Sequence, residues 1–186
     1  MELISAIKNR RSVRKFIDQA VPKEIIQELI DLAVWAPSAT NKQPWGFLVV
    51  DDREYLLQLS EEIKKGLLQD IDQNCHLKPY KEMLAKDGYH IFHNAPVLVA
   101  IYGNASESSW YINDCSLAAQ NFMLAAYGKG LVTCWTGFAQ KLLNSTEFKQ
   151  KHGIPVGYQI VAPIILGYPE KFPSQGLARK DYPIFR

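Results

Sequence analysis

The spacing of apolar positions changes period several times along the 186-residue chain, and each change marks an element. Leu3, Ile4 and Ile7 recur at helical spacing and predict a short helix over 2–9. A second helix opens at Pro22, where a missing N–H does no harm, with Ile25, Ile26, Leu29, Ile30, Ala33 and Val34 on its apolar side. Pro37 stops it. Phe47, Leu48, Val49 and Val50 read as a strand. Asp51 and Asp52 end that strand and cap a helix carrying Tyr55, Leu56, Leu59 and Ile63. The unbroken apolar run over 96–102 predicts a buried strand. The stretch 111–127 reads as a helix apolar nearly all round, suited to the middle of a core, with Gly128 and Gly130 at its end. Two more strands follow at 132–135 and 159–166, and a small helix at 146–152. Pro163 cannot donate to a ladder, so the last strand is expected at an edge or bulged there. Residues 69–93 keep no clean period and predict a loop-rich excursion with short helical pieces. Its aromatic content suits a lid or binding loop. The tail, 176–186, shows little periodicity.

Strands and helices alternate, which predicts one mixed α and β layered domain over 1–186. Composition agrees: 47% hydrophobic and 22% charged residues are ordinary for a globular protein. A net charge of +2 gives no electrostatic basis for a nucleic-acid partner. No apolar run approaches the ~20 residues of a membrane-spanning helix, so no membrane partner is expected. No leader pattern is read over 1–8. The three cysteines form no CxxC, which fits a reducing compartment and a cytoplasmic location. The four histidines show no zinc spacing, and no metal is expected.

The chemistry-bearing residues are few and scattered. Arg10, Arg11, Ser12, Arg14 and Lys15 crowd one segment between two helices. Arginine forks fit a phosphate with paired hydrogen bonds, although a solvated basic turn has the same composition. Arg179 and Lys180, near the other terminus, can close on the same anion or remain solvated. Asn41 and Gln43 sit between Pro37 and Pro44, and their amides suit either the edge of a planar heterocycle or a fixed loop. A strand end meets a glycine turn at Trp135, Thr136, Gly137 and Phe138, where backbone can approach a ligand closely. Asp114, Gln120 and Asn121 interrupt an otherwise apolar helix, and each needs a partner where it is buried. Tyr80, Tyr89, Phe92, Trp110 and Tyr111 are candidate pocket walls.

Taken in order, the segments 10–16, 36–45, 94–99, 114–121, 130–138 and 162–169 resemble the FMN-dependent nitroreductase family. RRSVRKF, APSATNKQPW and the GLVTCWTGF turn carry the likeness. The last departs from the family's GLGTCWIGGF: Val132 replaces a glycine and one tandem glycine is absent. The resemblance implies an α+β, nitroreductase-like fold. Its central, mostly antiparallel sheet is surrounded by helices in an intertwined homodimer, with two FMN sites at the interface. Carried over by position, Arg10, Ser12 and Arg14 match phosphate and ribityl contacts, and Arg11 shares their motif. Arg179, with Lys180 as the alternative, matches the C-terminal cation at the phosphate. Asn41 and Gln43 match the polar loop facing the cofactor. Pro37, Ser38 and Ala39 match the stretch that reaches it from the partner chain, and Thr136 and Gly137 match the turn beside the flavin.

The implied activity is ping-pong transfer of a hydride from NADH or NADPH, through flavin N5, to a small electron-poor acceptor such as a nitroaromatic or quinone. The cofactor carries this reaction, so no catalytic acid, base or nucleophile is expected in the chain. Lys15 or an arginine of the N-terminal segment is expected to stabilise the charge of the reduced ring. Related flavin chemistry (reductive dehalogenation or flavin breakdown) and a low-turnover FMN carrier are the alternatives.

Overall fold

The computed structural model describes residues 2–172 and 178–185. Most of the tail therefore falls within it, while Gly176, Leu177 and Arg186 lie outside the described residues. Helix α1 (Leu3–Asn9) is followed by the basic segment, then by α2 (Lys23–Ala33). Strand β1 (Trp45–Val50) leads into α3 (Arg53–Asp70), where Asp52 Oδ1 accepts the Tyr55 N–H at 3.1 Å as the N-cap. The excursion holds a short turn of helix at Lys78–Tyr80 and α4 (Lys81–Ala85), as its mixed composition suggests. Strand β2 (Val97–Asn104), helix α5 (Tyr111–Gly128) and strand β3 (Val132–Trp135) follow. The chain then forms α6 (Gln140–Leu143), α7 (Thr146–Lys151) and β4 (Tyr158–Gly167).

The four strands form one antiparallel sheet in the order β1-β2-β4-β3. Side chains alternate across it, so two cores form. Val97, Val99, Ile101, Ala162 and Ile164 pack with α2 and α5 on one face. Leu98, Ala100, Tyr102, Cys134 and Ile165 pack with α3, α4, α6 and α7 on the other. Both faces of β2 are covered, which is why its sequence is continuously apolar. Helix α5 lies so close to the sheet that a Cβ on Gly103 would stand 2.7 Å from the Tyr111 ring and 2.9 Å from Cys115 Sγ.

Strand β4 corrects half of one expectation. It lies between β2 and β3 rather than at an edge, and its register against β2 slips at Val161, opposite the Ile101–Tyr102 step. Pro163 is tolerated because its carbonyl points toward the β3 side, where it accepts from Thr136 N at 2.8 Å. The N and C=O of a strand residue share one side. The missing N–H therefore faces the end of β3, which pairs with β4 only from Trp135↔Ile164 onward, and costs no bond to β2.

Candidate functional site

The basic segment is held in place by the sheet edge. Ser12 bridges Thr133 in parallel, and Val13 N donates to Thr133 O at 3.1 Å. Phe16 then bridges Pro169, and Ile17 N donates to Tyr168 O at 3.0 Å. Residues 12–17 thus run past the edge of β3 and the residues just after β4, held by two isolated bridges. That anchoring fixes Arg10, Ser12 and Arg14 beside the β3 exit, where Thr136 and Gly137 begin the next turn.

Arg10 is half-buried, with its guanidinium against Met123 Sδ at 4.0 Å. Burial, then the neighbouring charges of Arg11 and Arg179, push its pKa below the ordinary arginine value. Arg179 therefore lies within electrostatic reach of Arg10 although the two sit at opposite ends of the chain. Arg11 turns away: its guanidinium donates to Lys8 O and Arg10 O, both at 2.7 Å, and so tidies the end of α1. Lys180 is exposed beside Arg179. None of the ion pairs among the described residues includes Arg10, Arg14 or Arg179.

A cavity of about 450 Å³ opens at this place. Arg14, Cys134, Trp135, Thr136 and Gly137 form one side, and the excursion supplies Tyr80, Met83, Tyr89 and His93. Arg14 is central: its charge acts on Cys134, Tyr89 and His93. His93 is pushed below the usual histidine value, first by burial and then by Arg14. Cys134 is pushed up by burial, opposed by Arg14, a Ser12 hydrogen bond and Arg10. Thr136 spends both its N–H and its hydroxyl on Pro163 O, at 2.8 and 3.1 Å. Gly137 differs: a Cβ placed on it would meet nothing within 4 Å, so its backbone borders open space. The Thr133 hydroxyl is buried with no partner among the described residues.

Of the proposed aromatic walls, only Tyr80 and Tyr89 line this cavity. Phe92 is fully buried in the core, Tyr111 packs against Gly103, and Trp110 is largely exposed. Phe138, absent from the expected set, stacks edge-on against Tyr80 with ring centroids 5.2 Å apart and belongs to the wall. Its place directly after Gly137 was the available signal.

The 37–43 loop stands apart and lines no part of this cavity. It contains a single turn of tight helix, Ala39–Asn41, and three non-glycine residues in the left-handed region: Thr40 (φ 47°), Asn41 (φ 56°) and Gln43 (φ 49°). Ser38 Oγ accepts from Gln43 N at 2.9 Å, and Gln43 Nε2 donates to Asn41 Oδ1 at 3.0 Å. Among the described residues, no three His, Cys, Asp or Glu side chains gather as a metal site, and no helix is long and apolar enough to cross a membrane.

An antiparallel sheet between helical layers, with an arginine-rich segment bridged to its edge beside a glycine turn, defines a nitroreductase-like domain. Residues 7–168 match the Nitroreductase family, and the chain belongs to it. A Methanothermobacter thermautotrophicus protein, provisionally named an NADH dehydrogenase/NAD(P)H nitroreductase, is 34% identical over 94% of this chain and 81% of its own. An iodotyrosine deiodinase of Haliscomenobacter hydrossis is 27% identical over 81% of this chain and 76% of its own. Among solved structures, a Bacteroides fragilis nitroreductase with bound FMN superposes with a TM-score of 0.78 at 25% identity, covering 100% of this chain and 95% of that one.

Proposed function

We propose that this protein is an FMN-dependent oxidoreductase, acting as a homodimer, that moves reducing equivalents from NADH or NADPH to small electron-poor acceptors. One observation carries the reading: Arg14 lines a cavity, Arg10 lies within electrostatic reach of Cys134 on its wall and of Arg179, and none of the three arginines is paired with a carboxylate among the described residues. Like charges so placed repel until an anion joins them. A phosphate monoester meets that need with charge-assisted hydrogen bonds.

The residues fit FMN. Arg10, Ser12 and Arg179 would hold its phosphate and ribityl chain, with Lys180 as the alternative C-terminal cation. Arg11 contributes charge rather than contact, since its Nη1 is turned back onto Lys8 O and Arg10 O. The cavity beyond Arg14 suits a planar ring, with the open backbone of Gly137 on one side. Bound FMN would take a hydride from the nicotinamide and pass two electrons to the acceptor. Arg14 rather than Lys15 is placed to stabilise negative charge on the ring, because Arg14 lines the cavity and Lys15 does not. Tyr80, Tyr89 and Phe138 exclude water from the acceptor side and set its width.

The loop and the surface support the homodimer. Pro37, Ser38, Ala39, Asn41 and Gln43 line no part of their own chain's cavity, which accords with a role at the site of the other protomer. Leu3, Ile4 and Ile7 on α1, Ile112 and Leu117 on α5, and Trp35 at 83% exposure leave an apolar surface that a second copy would cover. Phe185 in the tail, at 90% exposure, has the same need. The described residues carry no membrane-crossing helix, and a cytoplasmic location accords with the unpaired cysteines.

A second reading, reductive dehalogenation of an aromatic substrate, is favoured by the deiodinase relative and uses the same cofactor site. Anaerobic mixing of the FMN-loaded protein with NADH or NADPH tests the proposal. The flavin absorbance should bleach and return on addition of a nitroaromatic or quinone. Return with a halotyrosine alone would favour the second reading, and a flavin that neither nicotinamide bleaches would leave a carrier.

A further inference from the structure

Asp114 is a carboxylate buried to 3% exposure in the first turn of α5, a helix whose other buried neighbours are Cys115, Ala118 and Ala119. A buried charge is retained only where hydrogen bonds or a counter-charge replace water. No cation pairs with it among the described residues. Its two oxygens divide the work instead. Oδ1 accepts the backbone N–H of Ala39 at 3.0 Å, across 75 residues of sequence, and Oδ2 accepts the Ser108 hydroxyl at 3.2 Å. Ser108 is itself buried, and its Oγ accepts from Trp110 N at 3.1 Å, just before α5 begins. A short polar chain therefore runs through the apolar layer from the turn ahead of α5 to the 37–43 loop.

What that chain holds is strained. Thr40, Asn41 and Gln43 occupy left-handed backbone that L side chains disfavour. Such conformations persist where surrounding contacts over-determine them, and they concentrate at binding sites. Inside the loop, Ser38 Oγ and Ser38 O accept from Gln43 N and Asn41 N, but those bonds would move with the loop as a unit. Two bonds tie it to the body of the protein at its ends: Ala39 N to Asp114, and Pro44 O accepting from Asn104 N at 2.8 Å at the end of β2. The second fixes where the loop enters the sheet. The first sets how its left-handed turn is aimed.

We propose that Asp114 is a positioning residue for the cofactor, acting through Ala39: its carboxylate latches the strained loop so that Ser38, Asn41 and Gln43 are pre-aimed before FMN arrives. The inference rests on the function proposed above. It adds a residue that touches no cofactor atom and explains why a lone acid occupies an apolar helix.

The variants Asp114→Ala and Asp114→Asn separate a latch from a general need for charge. Asparagine keeps an Oδ1 acceptor for Ala39 N, and its amide can donate to Ser108 Oγ, which accepts as readily as it donates. In hydrogen exchange followed by mass spectrometry on the cofactor-free protein, D114A should exchange the 38–43 amides at least tenfold faster than the parent, and D114N within threefold of it. In calorimetry with FMN, D114A should raise Kd at least tenfold and D114N by less than threefold. The inference is overturned if D114A leaves loop exchange unchanged, if it frees the loop without weakening FMN, or if D114N matches D114A. Parent protein that takes up no FMN overturns the proposed function and this inference together, whereas a parent that binds FMN isolates a failure to the latch. Should D114A fail to fold, Ser108→Ala removes one bond from Oδ2 and leaves Ala39 held. Faster loop exchange with a two- to fivefold rise in FMN Kd then supports the latch, and parental values for both overturn it.

Discussion

Ser12 and Thr133 face one another at the edge of β3, and the Thr133 hydroxyl is buried there without a hydrogen-bond partner among the described residues. The pairing fixes the arginine segment, while the hydroxyl works against stability, because a buried donor that has lost water and gained nothing costs about 1–3 kcal/mol. Valine has nearly the shape of threonine. Thr133→Val should therefore raise the cofactor-free protein's stability by about 1 kcal/mol. Urea denaturation, read as a higher midpoint at unchanged slope, checks it. A lower midpoint would mean that the hydroxyl is paired in solution.

The arginine cluster gives two effects of opposite sign. Arg10→Ala or Arg14→Ala should each weaken FMN binding by roughly 1.5–3 kcal/mol, the range for hydrogen bonds to a charged group. In the cofactor-free protein the same guanidinium repels its neighbours, since Arg11 and Arg179 both lower the pKa of Arg10. Arg10→Ala should thus leave the cofactor-free urea midpoint unchanged or higher. Calorimetry with FMN and denaturation without it read the two effects separately. Full FMN affinity in Arg10→Ala would remove the phosphate assignment, and in Arg14→Ala the assignment to the ring.

The same cluster shows what one-dimensional patterning carries and what it loses. Period reports which side of an element is buried, so β2, α3 and α5 were all readable. It says nothing about which strand lies beside which. Pro163 therefore pointed to an edge strand or a bulge, when a proline whose N faces past the end of β3 is equally admissible inside the sheet. The RRSVR segment was visible as composition, but its attachment to Thr133 is a contact across more than a hundred residues. Asp114 was visible as an anomaly, a buried acid without an apparent partner. The partner is a backbone N–H at Ala39, and backbone donors leave no mark in a sequence. Aromatic residues of the excursion were similarly ambiguous: Tyr89 and Phe92 stand three positions apart, yet one lines the cavity and the other is core.

Self-association can be tested where the apolar surface is largest. The FMN-loaded protein should run as a dimer in light scattering. Placing glutamates at Ile4 and Ile7, both more than half exposed on α1, puts charge into the surface that a second copy would cover. That double variant should shift toward monomer and lose FMN in parallel, because each site draws on the other chain's 37–43 loop. A monomer that keeps its flavin would contradict the two-chain site.

Protonation should limit the fold at mildly acidic pH. His90, His93 and His152 are all pushed below the ordinary histidine value, chiefly by burial, with like charge from Arg14 on His93 and from Lys151 on His152. For His90, Glu61 opposes the shift and Lys64 reinforces it. Hydrogen bonds supply a structural reason as well. His90 Nδ1 accepts the Phe92 N–H at 3.0 Å, and a protonated Nδ1 cannot accept; His152 Nε2 lies 2.6 Å from the Tyr55 hydroxyl. The folded state thus favours neutral rings. Between the depressed folded values and the ordinary value near 6.5, the unfolded chain binds more protons, so stability rises with pH. The contribution is complete above about pH 6.5 and is lost progressively as pH falls below it. The urea midpoint should therefore drop between pH 7.5 and pH 5.5. His90→Asn keeps an acceptor near Phe92 N and cannot titrate, so it should flatten that drop while changing the midpoint little at pH 7.5. An equal drop in parent and variant would place the acid sensitivity elsewhere than at His90.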